Sequence, residues 1–270
     1  MIAQAWVLGV QHKLPPVFPL LQSSEAVLED SALLLSEVER RTARAEVNFL
    51  RAYALFWQTA NASESLALAQ QALADLPPSY LYARSVAYLV TGLALYVTGH
   101  PAEAIATLRP VVEAPNVPAV VKMRPLLALA HIYRTGGPLF MLEQTLDLYL
   151  KLATESGLIL SQMWAHHFRG GLHYERNELA QAAGHLETVV KQPYLAHYEC
   201  LRSSLVELAL AYQAQGRVRE ADATARRLTQ IGLELNIDSA ILRRSLDVRL
   251  ALAQHDVDAA LQAAAGLPST

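Results

Sequence analysis

The sequence predicts an all-α fold, a right-handed superhelical solenoid of antiparallel helix pairs. Three observations predict it: a motif recurring at nearly constant spacing, helical apolar periodicity on both sides of that motif, and Pro or polar clusters between periods. The motif is a small or turn-forming residue followed five positions later by Ala or Leu: Asn61/Leu66, Gly99/Ala104, Gly137/Leu142, Asn177/Ala182, Gly216/Ala221 and His255/Ala260. Successive steps are 38 to 40 residues, with a period of about 39, and self-similarity at such a period marks stacked supersecondary units. A solenoid presents a long curved surface and seldom a buried catalytic pocket, so recognition is the first functional expectation.

Residues 1–44 read as an irregular N-terminal helical lead-in, a partial repeat in which Trp6, Val7, Leu8 and Val10 supply half of a hairpin. Residues 45–270 read as about six hairpins, each with a helix A before the motif and a helix B after it. The residue seven positions before each turn is small in five of six cases, Ala54, Gly92, Ala130, Gly170 and Ala209, with Val248 the exception. Small side chains there let helix A approach the Ala or Leu of helix B closely. The second hairpin shows the periodicity: Tyr88, Gly92, Leu95 and Tyr96 before the turn and Ala104, Ile105, Leu108 and Val111 after it fall on helical faces. Pro77-Pro78, Pro115-Asn116-Val117-Pro118, Gly136-Gly137-Pro138 and Pro193 stand where a helix must stop. No stretch has the strict alternation of a half-buried strand. The final helix, Val257 to Leu267, is apolar on nearly every side, and since terminal repeats normally carry a polar outer face, self-association through exposed terminal helices is expected.

Composition fits a well-packed helical array, with 53% hydrophobic residues, 17% charged residues and 12 Gly. The net charge of −3 argues against a nucleic-acid grip, which needs a basic face to displace counterions. Arg40-Arg41, Arg226-Arg227 and Arg243-Arg244 are short clusters with acidic neighbours and read as solvated faces with occasional ion pairs. The single Cys200 leaves no intramolecular disulfide and reads as a small buried side chain in a reducing compartment. Apolar runs are broken before about 18 residues, so no membrane span is expected, and the start lacks a signal peptide's basic residues. The expected location is the cytoplasm.

Catalytic signatures are absent: no GxxxxGK[ST] phosphate loop, no GxGxxG, GxSxG, HExxH or CxxC. The nearest approach to a metal motif is His166, His167 and His173 on one helix A with His185 on the next helix B. A chelating pair on one helix wants a spacing of three or four, whereas His167 and His173 are six apart, so these read as polar lining or hydrogen-bonded core histidines. Neither a metal nor another cofactor is expected, and the chain does not read as an enzyme.

In right-handed helical-hairpin solenoids the A helices line the concave face. The register then places Arg51, Tyr96, Arg124, His131, Arg134, Trp164, His167 and Tyr174 in the groove, with Asn48, Gln58, Gln213 and Arg249 alongside. The middle repeats combine stacking groups, Trp164, Tyr174 and Tyr96, with the donors Arg124, Arg134 and His131. Sugars, aromatic acids and peptide carboxylates favour such a mixture.

The patterns Gly92, Gly99, Ala104 and Ala209, Tyr212, Gly216, Ala221 resemble tetratricopeptide (TPR) repeats, at a period longer than the usual 34 or so. The segment from Phe168 through His173-Tyr174-Glu175-Arg176-Asn177-Glu178-Leu179 to Ala182-Ala183-Gly184-His185-Leu186 is similar to a signature of the repeat domain of MalT-like, large LuxR-family bacterial transcriptional activators. Ala5 to Leu8, Leu50 to Leu55 and Ser65 to Leu73 are similar to it as well, so the resemblance covers nearly the whole chain. It implies a fragment of a longer regulator, in which a nucleotide-binding switch precedes the repeats and a DNA-binding module follows them. Family members answer to different inducers and some to protein partners, and no inducer-binding motif carries over residue by residue. The expected function is therefore sensing of a small-molecule inducer in the concave groove. The alternative is a generic TPR scaffold holding a peptide or partner domain in the same groove, with Arg124 and Arg134 as carboxylate clamps.

Overall fold

A computed structural model describes residues 1–10, 14–30, 34–234, 239–265 and 267. Among the described residues the regular structure is helical, fourteen α-helices with no strand. The chain divides into two compact units, Met1–Thr145 and Leu146–Thr270.

The first unit holds α1 (Ile2–Val10), α2 (Val17–Glu29), α3 (Glu37–Thr59), α4 (Ala62–Asp75), α5 (Leu81–Val97), α6 (Pro101–Glu113), α7 (Ala119–Gly136) and the start of α8 (Leu139–Glu155). From α1 to α7 each helix packs on the next, and α1, α3, α5 and α7 also pack on one another in that order. This is the contact pattern of helical hairpins stacked in series. The lead-in shares the core of the hairpins that follow it, where Ala5, Val17, Leu21 and Leu28 join Val47, Phe49, Leu50, Ala72 and Val86. Trp6 lies 4.9 Å from Phe49 and 5.8 Å from Tyr82, and its Nε1 donates to Glu46 Oε2 at 3.0 Å. Helix α3 begins eight residues before the first expected hairpin because Ser36 caps it, bonding the Glu39 N–H while the Glu39 carboxylate takes the Ser36 N–H.

The second unit continues with α9 (Ile159–Glu175), α10 (Leu179–Val190), α11 (Tyr198–Ala214), α12 (Val218–Glu234), α13 (Ala240–Ala253) and α14 (Val257–Ala264). From α9 to α14 the packing again runs in sequence order, with α9 on α11 and α11 on α13. Val257 and Leu261 of α14 are exposed while Ala260 is buried, so the terminal apolar face stands open. Cys200 is buried, and burial pushes its thiol up. Arg41, Arg227 and Arg243 pair with Asp75, Glu234 and Asp247, as expected of the basic clusters. Among the described residues no helix is long and apolar enough to cross a membrane.

The turn inside each hairpin explains the motif. Gly99, Asn177, Gly216 and His255 all have left-handed backbone, with φ of 87°, 60°, 74° and 59°. The next N–H bonds back five residues in each case, His100 to Leu95, Glu178 to His173, Arg217 to Tyr212 and Asp256 to Ala251. That bond closes the end of helix A and turns the chain into helix B. The buried second members are Ala104, Ala182, Ala221 and Ala260. Gly216 has open space where a Cβ would go, so Gly216→Ala is expected to cost about 1 kcal/mol through backbone conformation alone, read as a lower urea midpoint.

Two motif assignments are corrected. In the first hairpin the left-handed residue is Ala60, at φ 53°, and the buried member is Ser65, while Asn61 caps α4 through the Glu64 N–H and Leu66 is half-buried. The register there slips by one. In the third hairpin Leu142 is buried as expected, but Gly137 is extended at φ −105°.

Candidate functional site

With the first hairpin re-registered, equivalent positions along the A helices can be compared. Ten residues before each turn stand Leu50, Leu89, Leu127, His167, Val206 and Ser245, the first five between 2 and 7% exposed and Ser245 half-buried. Nine residues before it stand Arg51, Val90, Ala128, Phe168, Glu207 and Leu246. Most of these positions face helix packing, and apolar side chains fill eight of the twelve. In the second unit the departures are Ser245 and, on two helices that pack together, His167 and Glu207.

His167 and Glu207 meet. His167 Nε2 lies 3.8 Å from Glu207 Oε1, and His167 Nδ1 lies 3.1 Å from Ser204 Oγ, so α9 and α11 share a polar set inside an apolar contact. Trp164 closes it, with its ring edge-on to His167 at 5.7 Å and tilted over His197 at 5.9 Å. His197 is itself fixed at the start of α11, where Nδ1 accepts from the Glu199 N–H at 3.2 Å. Burying a carboxylate and an imidazole is costly unless they are paired, and a hydrophobic pair would fill the space more cheaply. The Glu207 side chain keeps 16% of its exposure, although its Oε2 is buried.

The sequence-expected residues divide between the units. In the second, Trp164 and His167 are buried between α9 and α11 instead of standing on an open face, and Tyr174 is half-buried against the α11 core. In the first, Arg51 Nη2 pairs with Glu25 Oε2 at 2.6 Å and ties α2 to α3. The Arg124 guanidinium lies 6.0 Å over the Tyr82 ring, a cation–π geometry. Tyr96 extends its hydroxyl to Gly136, where an added Cβ would lie 3.2 Å from the oxygen. His131 and Arg134 are half-buried on α7, with Arg134 in the last helical turn, where a cation suits the free carbonyls.

Four residues were missed by the sequence reading. Glu207, Ser204 and His197 complete the His167 set, and the signal for Glu207 was a charge at a position apolar in most repeats. The fourth, Trp57, takes the place expected for Gln58 once the register slips by one. It is 43% exposed and leans on Tyr53 and Phe56 with ring centroids 6.4 and 5.1 Å away.

Two further features lie nearby in the second unit. A shallow open recess of about 390 Å³ is lined by Asp147, Leu150, Lys151, Thr154, Glu155 and Arg169, with Arg169 ion-paired to Asp147. His166 faces α10 and meets His185 there. Among the described residues no group of three or more His, Cys, Asp or Glu side chains is arranged to hold a metal ion. Compared with known families, the chain matches the model of the MalT-like TPR region over residues 45–269.

Proposed function

Since the chain belongs to the MalT-like TPR family, we propose that it is the effector-sensing repeat domain of a MalT-like, LuxR-family transcriptional regulator acting in the cytoplasm. The observation that carries this reading is the His167, Ser204 and Glu207 set with Trp164, in which His167 and Glu207 hold helix-packing positions that are apolar in four of the six repeats. A ligand that reaches this set along the partly exposed Glu207 side chain alters how α9 packs on α11. Binding one packing better than another shifts their populations, and an adjoining nucleotide-binding switch domain reads the shift. A DNA-binding domain of the same regulator delivers the output.

The set also contains a hydroxyl, an imidazole and a carboxylate, but we read it as recognition and not catalysis. Ser204 is fully buried in the middle of α11. Backbone N–H groups there are bonded within the helix, so they offer no oxyanion donors.

The test is a thermal-shift screen of the chain against oligosaccharides, aromatic acids and other metabolites, with peptides and nucleotides as comparison sets. A ligand at about 100 times its Kd adds about 2.7 kcal/mol of stability, a clear rise in Tm. The rise is expected with one class of metabolite and is expected to shrink in Glu207→Gln. A rise with peptides alone favours the second reading, a scaffold for a protein partner. The exposed Trp57 with Tyr53 and Phe56 supports that reading, because aromatic anchors of this kind dominate protein interfaces.

A further inference from the structure

The face of α9 turned toward α10, distinct from that of Trp164 and His167, contributes two of three clustered histidines. His166 and His173 are seven residues apart on α9, two turns along one helical face, and His185 of α10 lies against both. His166 Nδ1 and His185 Nδ1 are 3.0 Å apart. The rings of His185 and His173 are stacked, 5.3 Å between centroids and 7° from parallel. His173 Nδ1 is held by Glu178 Oε2 at 2.5 Å, just before α10 begins.

This packing has a fixed capacity for protons. Two imidazole nitrogens at 3.0 Å hold one proton between them, one ring donating and the other accepting. A second proton sets two N–H donors against each other. That second proton also places a cation beside Arg169 of α9 and against the parallel ring of His173. Arg169 is answered by Asp147 of α8, and His173 by Glu178. On the α11 side the titratable groups turn elsewhere, Glu207 to His167 and Tyr212 to Glu187.

We propose that His166, His173 and His185 form a proton-sensitive latch between α9 and α10, closed while the His166–His185 pair is neutral and loosened by acid. Burial lowers His185 from its ordinary 6.5 to about 4, with the charges of His166, His173 and Arg169 acting in the same direction; burial and then Arg169 lower His166 too. The unfolded hairpin therefore binds more protons than the folded one between those values. Stability is complete above about pH 6.5 and is lost as the pH falls toward 4. Since α9 carries two of these histidines on one face and Trp164 and His167 on another, acid would reach the effector site through one helix.

The experiment is hydrogen exchange of the whole chain at pH 7.5 and pH 5, corrected for intrinsic rates, on the natural protein and on His185→Gln, beside an NMR titration of the histidine rings in the natural protein. Protection of α10 amides is expected to fall about tenfold at pH 5 relative to α12, the figure allowing for the half-exposed rings. His185→Gln is expected to remove most of that difference, and the His185 ring is expected to titrate below pH 5. A uniform loss across α9 to α12, the same loss in the variant, or a His185 midpoint at 6.5 or above would overturn the latch. If the variant does not fold, the titration of the natural protein decides.

Discussion

Gly170→Val is expected to destabilise the protein by about 3 kcal/mol, seen as a lower urea midpoint with an unchanged slope. A Cβ built on Gly170 of α9 would lie 2.5 Å from Leu186 Cγ, 2.7 Å from Leu186 Cδ2 and 3.3 Å from the Ala182 carbonyl oxygen, the last two residues belonging to α10. Carbon atoms in contact settle about 3.5 to 4.0 Å apart. Leu186 is fully buried and its Cγ is one bond from the Cβ, so it has nowhere to swing. The helices themselves must separate. Other hairpins place the bulk on the opposite partner: at the equivalent positions stand Tyr53 with Ala69 and Val248 with Ala264. The reversal supplies a control. Leu186→Ala alone should cost about 2 to 5 kcal/mol by leaving a cavity, whereas Gly170→Val with Leu186→Ala should be more stable than the two losses added, by about 1 to 3 kcal/mol. Simple additivity would mean that α9 and α10 are not set by this contact.

The same large-for-small exchange explains which parts of the fold were legible. Gly92 and Gly170 face leucines, and their spacing to Gly99 and Asn177 gives the right register because the small residue and the left-handed turn are both visible by type. In the first hairpin Tyr53 carries the bulk and Ala60 makes the turn, so neither signal shows, and Asn61, a residue that suits turns, draws the register one position too far. Asn61 does have a local role, as the cap of α4. Val248, the exception among small residues, is the same reversal seen from the other end. At the site, residue type picked out Trp164 and His167 but not their burial, because groove and interior positions on a helix are one residue apart. The partners of His167 were hidden for a different reason. Ser204 and Glu207 lie about one repeat further along the chain, and no local pattern joins residues separated by a whole hairpin. The pairing of His166 with His185 crosses from α9 to α10 and is equally silent in a search for chelating spacing on one helix.

His167→Leu together with Glu207→Leu is expected to fold at least as well as the natural protein, gaining about 1 kcal/mol, while losing any effector-induced rise in Tm. The substitution makes the α9–α11 contact resemble other hairpins, where Leu50, Leu89 and Leu127 hold the position of His167, and Val90, Ala128 and Leu246 that of Glu207. A buried polar pair replaced by apolar side chains of similar volume is commonly neutral or stabilising, since neither group then has to be desolvated. The single change His167→Leu behaves differently, because it leaves the Glu207 carboxylate facing a leucine. Its cost is expected to be about 2 kcal/mol, below that of a wholly buried charge because Glu207 retains its 16% exposure. The comparison separates two origins for the polar set. If the double variant is markedly less stable, His167 and Glu207 are needed for α9 to pack on α11, and their place in the core is structural. If it is stable and still shifts with the effector, the binding site lies on other residues of the A helices, with Tyr174 the next to replace. Stability kept and response lost is the outcome that the arrangement predicts: a packing contact kept polar at some cost in stability, because a ligand has to be able to change it.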